Sequence, residues 1–264
     1  MTPDLADSWK IRVVMPALDE EAAIGSVIDA IPAHWVDSIH VGDNGSRDAT
    51  AEVARKRGAR VVHATRRGYG SACLAALADL DQLAQPDSDE IVVFLDADHS
   101  DDPAQIPALV TPIIENQADL VLGSRAHPGI EAGSLTPQQR WGNALATTLI
   151  RWIHGHRYQD LGPFRAIRLD LLKKLQMSDP DFGWTVEMQL KALRQGLRIR
   201  EIPVPYRRRI GESKISGTVI GSCKAGFKIL KWIGLDAWRG DRPAVDALSS
   251  HIEERRPSDG RNLL

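Results

Sequence analysis

Residues 91–98 read Ile-Val-Val-Phe-Leu-Asp-Ala-Asp, a run of β-branched and large apolar residues that ends in two carboxylates. Such a run is expected of a strand buried on both faces, as in a parallel sheet. Asp96 and Asp98 are two positions apart, so in an extended chain both side chains point the same way. At the carboxyl end of a strand they face the crevice in which open α/β sheets bind ligands. Two like charges that close repel and call for a cation or hydrogen-bond donors. A divalent ion shared with a diphosphate meets that need, because Mg²⁺ and Mn²⁺ favour oxygen ligands. The plainer alternative is a solvated loop whose acids cap the next helix.

Working outward, strands alternate with helical patterns on both sides of this segment. Strands are expected at 11–15, 38–42, 59–63 and 119–125, with helices at 49–57 and 71–83 between them. The alternation predicts an α/β fold with a doubly wound, mostly parallel sheet. Pro112 should kink or split the helical segment 103–116. Beyond residue 126 a Gly/Pro/Thr-rich loop leads into an amphipathic helix bearing Trp141 and Trp152, both expected in the core. Residues 198–206 form a last strand, placed at a sheet edge by Pro203 and Pro205. A helix over 218–234 has Ile220, Cys223, Phe227 and Leu230 on an apolar face flanked by a basic ridge of Lys224, Lys228 and Lys231, a face that either packs on the domain or lies on an anionic membrane surface. The expected organisation is an extension (1–10), one domain (11–217, divided at 125/126), the amphipathic helix (218–238) and a polar, disordered tail (239–264).

Composition excludes several classes. The 264 residues carry 33 Lys and Arg against 35 Asp and Glu, a balance without the basic excess of a nucleic-acid binder. Cys73 and Cys223 lack metal-ligand spacing and read as reduced thiols. No signal-peptide core opens the chain and no apolar run reaches the roughly 20 residues of a bilayer span, so a cytoplasmic protein, possible also at the inner membrane face, is expected. After the first strand stand Asp19, Glu20 and Glu21 rather than Gly-x-Gly-x-x-Gly, which argues against a dinucleotide site.

Further candidate positions follow strand ends. Asp43, in Asp43-Asn-Gly-Ser-Arg-Asp48, is either plain turn chemistry or an acceptor for a base or ribose. Gly68 and Gly70, beside Arg66 and Arg67 at a helix start, suit an anion or are simply loop residues. The run Tyr206–Gly217 is a solvated charge run or a loop that closes on a diphosphate.

In order along the chain, six motifs resemble those of the family 2 inverting glycosyltransferases of the GT-A fold, in the branch with polyprenyl-phosphate (dolichyl-phosphate-type) mannosyl- and glucosyltransferases. They are Pro16-Ala-Leu-Asp-Glu-Glu21, Val41–Asp48, Arg67-Gly-Tyr-Gly-Ser-Ala72, Phe94–Asp98, Asp160-Leu-Gly-Pro-Phe-Arg165 and Arg208–Lys214. The resemblance implies transfer of a hexose from a nucleotide-sugar, of UDP-glucose or GDP-mannose type, to polyprenyl phosphate or to a soluble phosphorylated or hydroxyl acceptor. A non-catalytic nucleotide-binding scaffold is the remaining alternative. It implies that Glu20 and Asp43 hold the nucleoside, that Pro16, Leu18, Gly68, Gly70 and Ala97 line the donor site, and that Asp96 and Asp98 serve ribose and metal, Mg²⁺ or Mn²⁺. Arg208 and Lys214 would stabilise the leaving nucleotide. Glu187 and Asp160 are the candidates for a general base, needed only by a hydroxyl nucleophile. Arg125, Arg165 and Arg168 would meet an acceptor phosphate.

Overall fold

The computed structural model describes residues 8–83, 89–211 and 219–238. Lys214, the side chains of Ile220, Cys223 and Lys224, and the 239–264 segment lie outside the described residues. Seven strands form one sheet in the order β3-β2-β1-β4-β6-β5-β7. They are β1 (Trp9–Ala17), β2 (Ser38–Asp43), β3 (Arg60–His63), β4 (Asp89–Phe94), β5 (Leu120–Ser124), β6 (Arg165–Arg168) and β7 (Ile199–Pro203). The first strand begins two residues earlier than expected, because Trp9 and Lys10 pair with Asp89 and Glu90 at the start of β4. Only β6 runs antiparallel, wedged between β4 and β5. The sheet is therefore the mostly parallel one expected, and Pro203 does sit on an edge strand.

Both faces of β4 are covered, as its composition requires. Ile91, Val93 and Leu95 enter one hydrophobic cluster and Val92 and Phe94 the other. Helices α1 (Ile24–Asp29), α2 (Thr50–Lys56) and α4 (Ile106–Ile114) cover the first face. Helices α3 (Tyr69–Asp81), α5 (Pro137–His154), α6 (Leu169–Leu175) and α7 (Trp184–Arg194) cover the second, with α8 (Val219–Trp238) packed on α5 and α7. The expected break at Pro112 does not occur: a 3₁₀ turn, Pro103–Gln105, precedes α4, and Pro112 lies inside α4 two residues before its end, without an N–H to offer the Ala108 carbonyl.

The expectation that the α5 tryptophans are core fails, and the described part of the apolar face expected on α8 does not pack on the domain. Trp141 and Trp152 of α5 are 70% and 79% exposed. On α8, Phe227 and Leu230 are exposed at 71% and 41%, while Trp232, Ile233 and Asp236 turn inward instead. The buried Asp236 explains the rotation, since it pairs with Arg194 of α7 and with His154 of α5 at 2.6 Å. An ion pair that ties three helices fixes which face of α8 is buried, and apolarity alone does not reveal it. Among the described residues no helix is long and apolar enough to cross a membrane.

Candidate active site

The strand order reverses direction between β1 and β4, and ligands of open α/β sheets bind outside the carboxyl ends of strands at such a point. A cavity of about 300 Å³ lies there. The turn after β1 supplies Pro16, Leu18 and Glu20 as lining, and the turn after β4 supplies Asp96, Ala97 and Asp98. The sequence thus placed these six residues in one site. Gly68 also lines it.

The acid pair is held under electrostatic tension. Tyr69 donates its hydroxyl to Asp96 Oδ1 at 2.9 Å. Burial, then the charge of Asp98, nevertheless pushes the Asp96 carboxyl up to about 7. Asp98 is anchored by Ser100, whose backbone N–H and hydroxyl donate to Oδ1 at 2.9 and 2.6 Å. Its other oxygen, Oδ2, pairs with Arg209 Nη2 at 2.8 Å, and the same nitrogen lies 3.2 Å from Glu20 Oε1. Behind the pair, Asp101 is buried with both side-chain oxygens unpartnered, and burial plus the charges of Asp96 and Asp98 raise its carboxyl pKa well above normal. Excess negative charge in a desolvated turn suits a divalent cation. Among the described residues no group of three or more metal-binding side chains is preformed. A cation at Asp96 and Asp98 would therefore complete its shell with ligand oxygens, as Mg²⁺ and Mn²⁺ do with diphosphates.

Arg209, not the expected Arg208, is the arginine that faces the acids and lines the cavity. Arg208 turns away, donating to the Ala132 carbonyl at 2.8 Å and pairing with Glu131. Neighbouring residues of an extended segment face opposite sides, so only one parity of the Arg207–Arg209 run can enter the site. The register is set by backbone hydrogen bonds: Arg207 N–H donates to Ser100 O at 2.8 Å and Ile210 N–H to Asp98 O at 2.9 Å.

Asp43 does not line the cavity. Its carboxylate accepts from the Ser46 N–H at 3.1 Å and meets His63 Nδ1 at 2.8 Å, which closes its own turn. Asn44 is the lining residue, and its side-chain oxygen accepts from the Gly68 N–H at 3.0 Å. Gly70 serves packing: a Cβ there would stand 1.9 Å from the Asp179 carbonyl oxygen. At Gly68, with φ +138°, a Cβ would stand 2.1 Å from that of Pro180. The two glycines let the start of α3 lie against the 178–183 loop.

From residue 125 onward, in the part of the domain expected to meet the acceptor, the candidate residues are engaged internally. Glu187 is fully buried; its carboxylate accepts from the Ser178 N–H and hydroxyl and the Asp179 N–H, at 2.7–2.9 Å, and pairs with Lys191. It pins the 178–179 backbone of the loop that lies against Gly68 and Gly70. Asp160 takes Arg125 in a two-pronged pair at 2.7 and 2.8 Å. Burial alone would raise its pKa, but Arg125 holds it below the usual carboxylate range. Arg125 also stacks on Tyr206 at 5.0 Å, so its guanidinium is committed. Arg165 has no exposed surface and donates to the Gly162, Pro163 and Thr185 carbonyls. Arg168 is opposite Ile91, far along β4 from the acids, and pairs with Asp170. Each of the five residues expected as base or acceptor-phosphate ligand is thus engaged by the partners just named.

The family model for glycosyl transferase family 2 matches residues 12–176. The chain belongs to that family. It is 32% identical over 225 residues to a dolichyl-phosphate hexose transferase of Haloferax volcanii, covering 84% of this chain and 92% of the relative. It is 29% identical over 249 residues to an undecaprenyl-phosphate mannosyltransferase of Micrococcus luteus, covering 88% and 98%. Its fold superposes with a TM-score of 0.65, at 27% identity over 88% of this chain and 82% of the other, on glucosyl-3-phosphoglycerate synthase of Mycobacterium tuberculosis bound to Mn²⁺, UDP-glucose and phosphoglyceric acid. The expected GT-A fold and glycosyltransferase class are thereby borne out.

Proposed function

We propose that this glycosyltransferase moves a hexose from a nucleoside-diphosphate sugar to polyprenyl phosphate, with inversion at the anomeric carbon. The single observation that carries the donor side is the Asp96/Asp98/Arg209 constellation at the end of β4, in a cavity closed beneath by Pro16, Leu18 and Asn44. Glu20 and Asn44 offer acceptors to the nucleoside. A bound Mg²⁺ or Mn²⁺, held by Asp96 and Asp98, would neutralise the diphosphate. Arg209, with Lys214 from the neighbouring segment, would meet the charge that builds on the leaving nucleotide. The acceptor oxygen bonds to the anomeric carbon as the bond to the β-phosphate breaks, and the nucleoside diphosphate departs with the electron pair. A single displacement of this kind inverts the centre.

The acceptor assignment follows from what the two base candidates are doing. Glu187 and Asp160 are saturated by backbone donors, Lys191 and Arg125, so neither is free to take a proton from a hydroxyl. A phosphate nucleophile is already ionised and needs no base. The exposed aromatic pairs agree with a lipid-borne acceptor. Trp141 and Trp152 on α5, like Phe227 and Trp238 on α8, stand 11 residues apart, three helical turns, so each pair shares a face. Exposed Arg140, Arg151 and Lys231 lie among them, a composition suited to an anionic bilayer interface. The phosphoglyceric acid bound by the structural relative supports a soluble phosphorylated acceptor as the second reading. Radiolabelled transfer from UDP-glucose and from GDP-mannose, with Mn²⁺, to polyprenyl phosphate, free polyprenol or 3-phosphoglycerate tests both. Labelled lipid from the phosphate alone is expected; product only from 3-phosphoglycerate would establish the soluble reading.

A further inference from the structure

The contact between Arg209 and Asp98 occupies the oxygen that a metal ion would need. Asp98 Oδ1 is engaged by both donors of Ser100, which leaves Oδ2, and Oδ2 is where Arg209 Nη2 lies. That one nitrogen also reaches Glu20, so a single guanidinium bridges the acids that follow β1 and β4. Among the described residues its Nε is buried without a hydrogen-bond partner, and Nη2 is the nitrogen that meets both carboxylates. The Arg209 side chain is 30% exposed, against 8% for Asp98, and its backbone is fixed on both sides by the hydrogen bonds of Arg207 and Ile210. The guanidinium can therefore leave Asp98 by side-chain rotation alone.

We propose that Arg209 is a built-in surrogate cation, which neutralises Asp98 and Glu20 in the free chain and is exchanged for a divalent ion only when a nucleoside diphosphate arrives to receive it. The inference rests on the donor reading above. An ion binding alone must displace Arg209 from Asp98 and cost the guanidinium the nearer of its two carboxylate partners, which weakens the site for metal. With a diphosphate present, the evicted guanidinium gains a doubly charged partner suited to its forked donors. Metal and nucleotide then bind cooperatively, each raising the affinity of the other by the same factor. The arrangement also keeps the acid turn from collecting metal ions unproductively between turnovers.

The test is titration of Mn²⁺, followed by the electron paramagnetic resonance of the free ion, with and without UDP or GDP. Arg209→Gln is expected to bind Mn²⁺ alone about tenfold more tightly than the wild type, and to lose a similar factor of the tightening that nucleotide brings, within the usual range of such couplings. Arg209→Lys, which keeps a cation, should bind Mn²⁺ alone as weakly as the wild type. Circular dichroism verifies folding, and Arg209→Met, which retains the apolar stem, gives the same reading should Arg209→Gln not fold. Affinity for Mn²⁺ alone that is unchanged or lower in the neutral variants, including undetectable binding throughout, overturns the proposal. Wild-type protein that binds Mn²⁺ neither alone nor with either nucleotide would instead refute the donor reading, and the metal-only comparison would still judge Arg209.

Discussion

The donor and acceptor halves of the molecule use similar residues in opposite ways. Around β1 and β4, carboxylates and an arginine face a cavity, and Asp96 is left costly to ionise. Around β6 and α7, the carboxylates and arginines of equally distinctive motifs face inward and hold loops. Glu187 binds the 178–179 backbone, Asp160 binds Arg125, and Arg165 binds three carbonyls. Charge that faces a cavity, in contacts a ligand can exchange, marks a candidate site, and charge paired in the interior marks a scaffold. A family motif therefore identifies important residues without saying which of these two duties each performs.

The largest effect that would break this contrast is at Asp98. Asp98→Ala should lower the transfer rate by roughly 10²–10³-fold and abolish metal-dependent nucleotide binding, with the circular dichroism spectrum unchanged. Calorimetry of UDP or GDP with Mn²⁺ checks the binding. Retained metal-dependent binding would remove the donor half from the contrast altogether.

Glu187 is the sharpest test of the other half. Glu187→Ala removes the acceptor of the Ser178 and Asp179 N–H groups and the Ser178 hydroxyl, while Lys191 keeps the Gln176 carbonyl, and should cost about 3–5 kcal/mol in denaturant unfolding. Glu187→Gln keeps an acceptor and should cost less, about 1.5–3 kcal/mol. At a temperature where it stays folded, its turnover should remain within a few fold of the wild type. A general base would instead lose about 10²–10⁴-fold on the same substitution, so a loss of that size with a flattened pH profile would return Glu187 to catalysis.

Asp160 is expected to show a smaller effect, and one that depends on pH. Its folded pKa is depressed by Arg125, so the pair contributes stability above the unfolded pKa of about 3.9 and loses it as pH falls through the lower, folded value. Asp160→Asn should cost about 1–3 kcal/mol at neutral pH, and the difference from wild type should shrink on acidification below about pH 4. Urea unfolding at a series of pH values measures this directly; a difference that grows on acidification would contradict the ion pair.

These contrasts also separate what the sequence made legible from what it did not. The strand that ends in Asp96-x-Asp98 was readable, because burial on both faces and a sudden pair of acids are local signals. Pro203 likewise marked the edge strand, since a missing N–H has one consequence wherever it occurs. The choice between Arg208 and Arg209 was not readable, because three consecutive arginines carry no register until backbone hydrogen bonds to Ser100 and Asp98 set one. Gly68 and Gly70 looked like ligand glycines, yet their spacing is required by carbonyls more than 100 residues away in the chain. The engagement of Glu187 and Asp160 by partners was unreadable for a similar reason: pairing is a tertiary fact, invisible in the motif that contains the residue.

The smallest expected change in stability is at the exposed tryptophans. Trp141→Ser with Trp152→Ser should alter unfolding free energy by no more than about 0.5 kcal/mol per site, because neither side chain is removed from the core. The same double variant should sediment less with vesicles that contain phosphatidylglycerol, since interfacial indoles and exposed basic residues act together on an anionic surface. Vesicles of phosphatidylcholine alone should hold both proteins weakly. If the face instead joins two copies of the chain, the double variant would change the sedimentation velocity of the lipid-free protein and leave vesicle binding alone. A silent core with a changed surface would complete the contrast: in the acceptor half the polar residues build the scaffold, and the exposed aromatics make the contact.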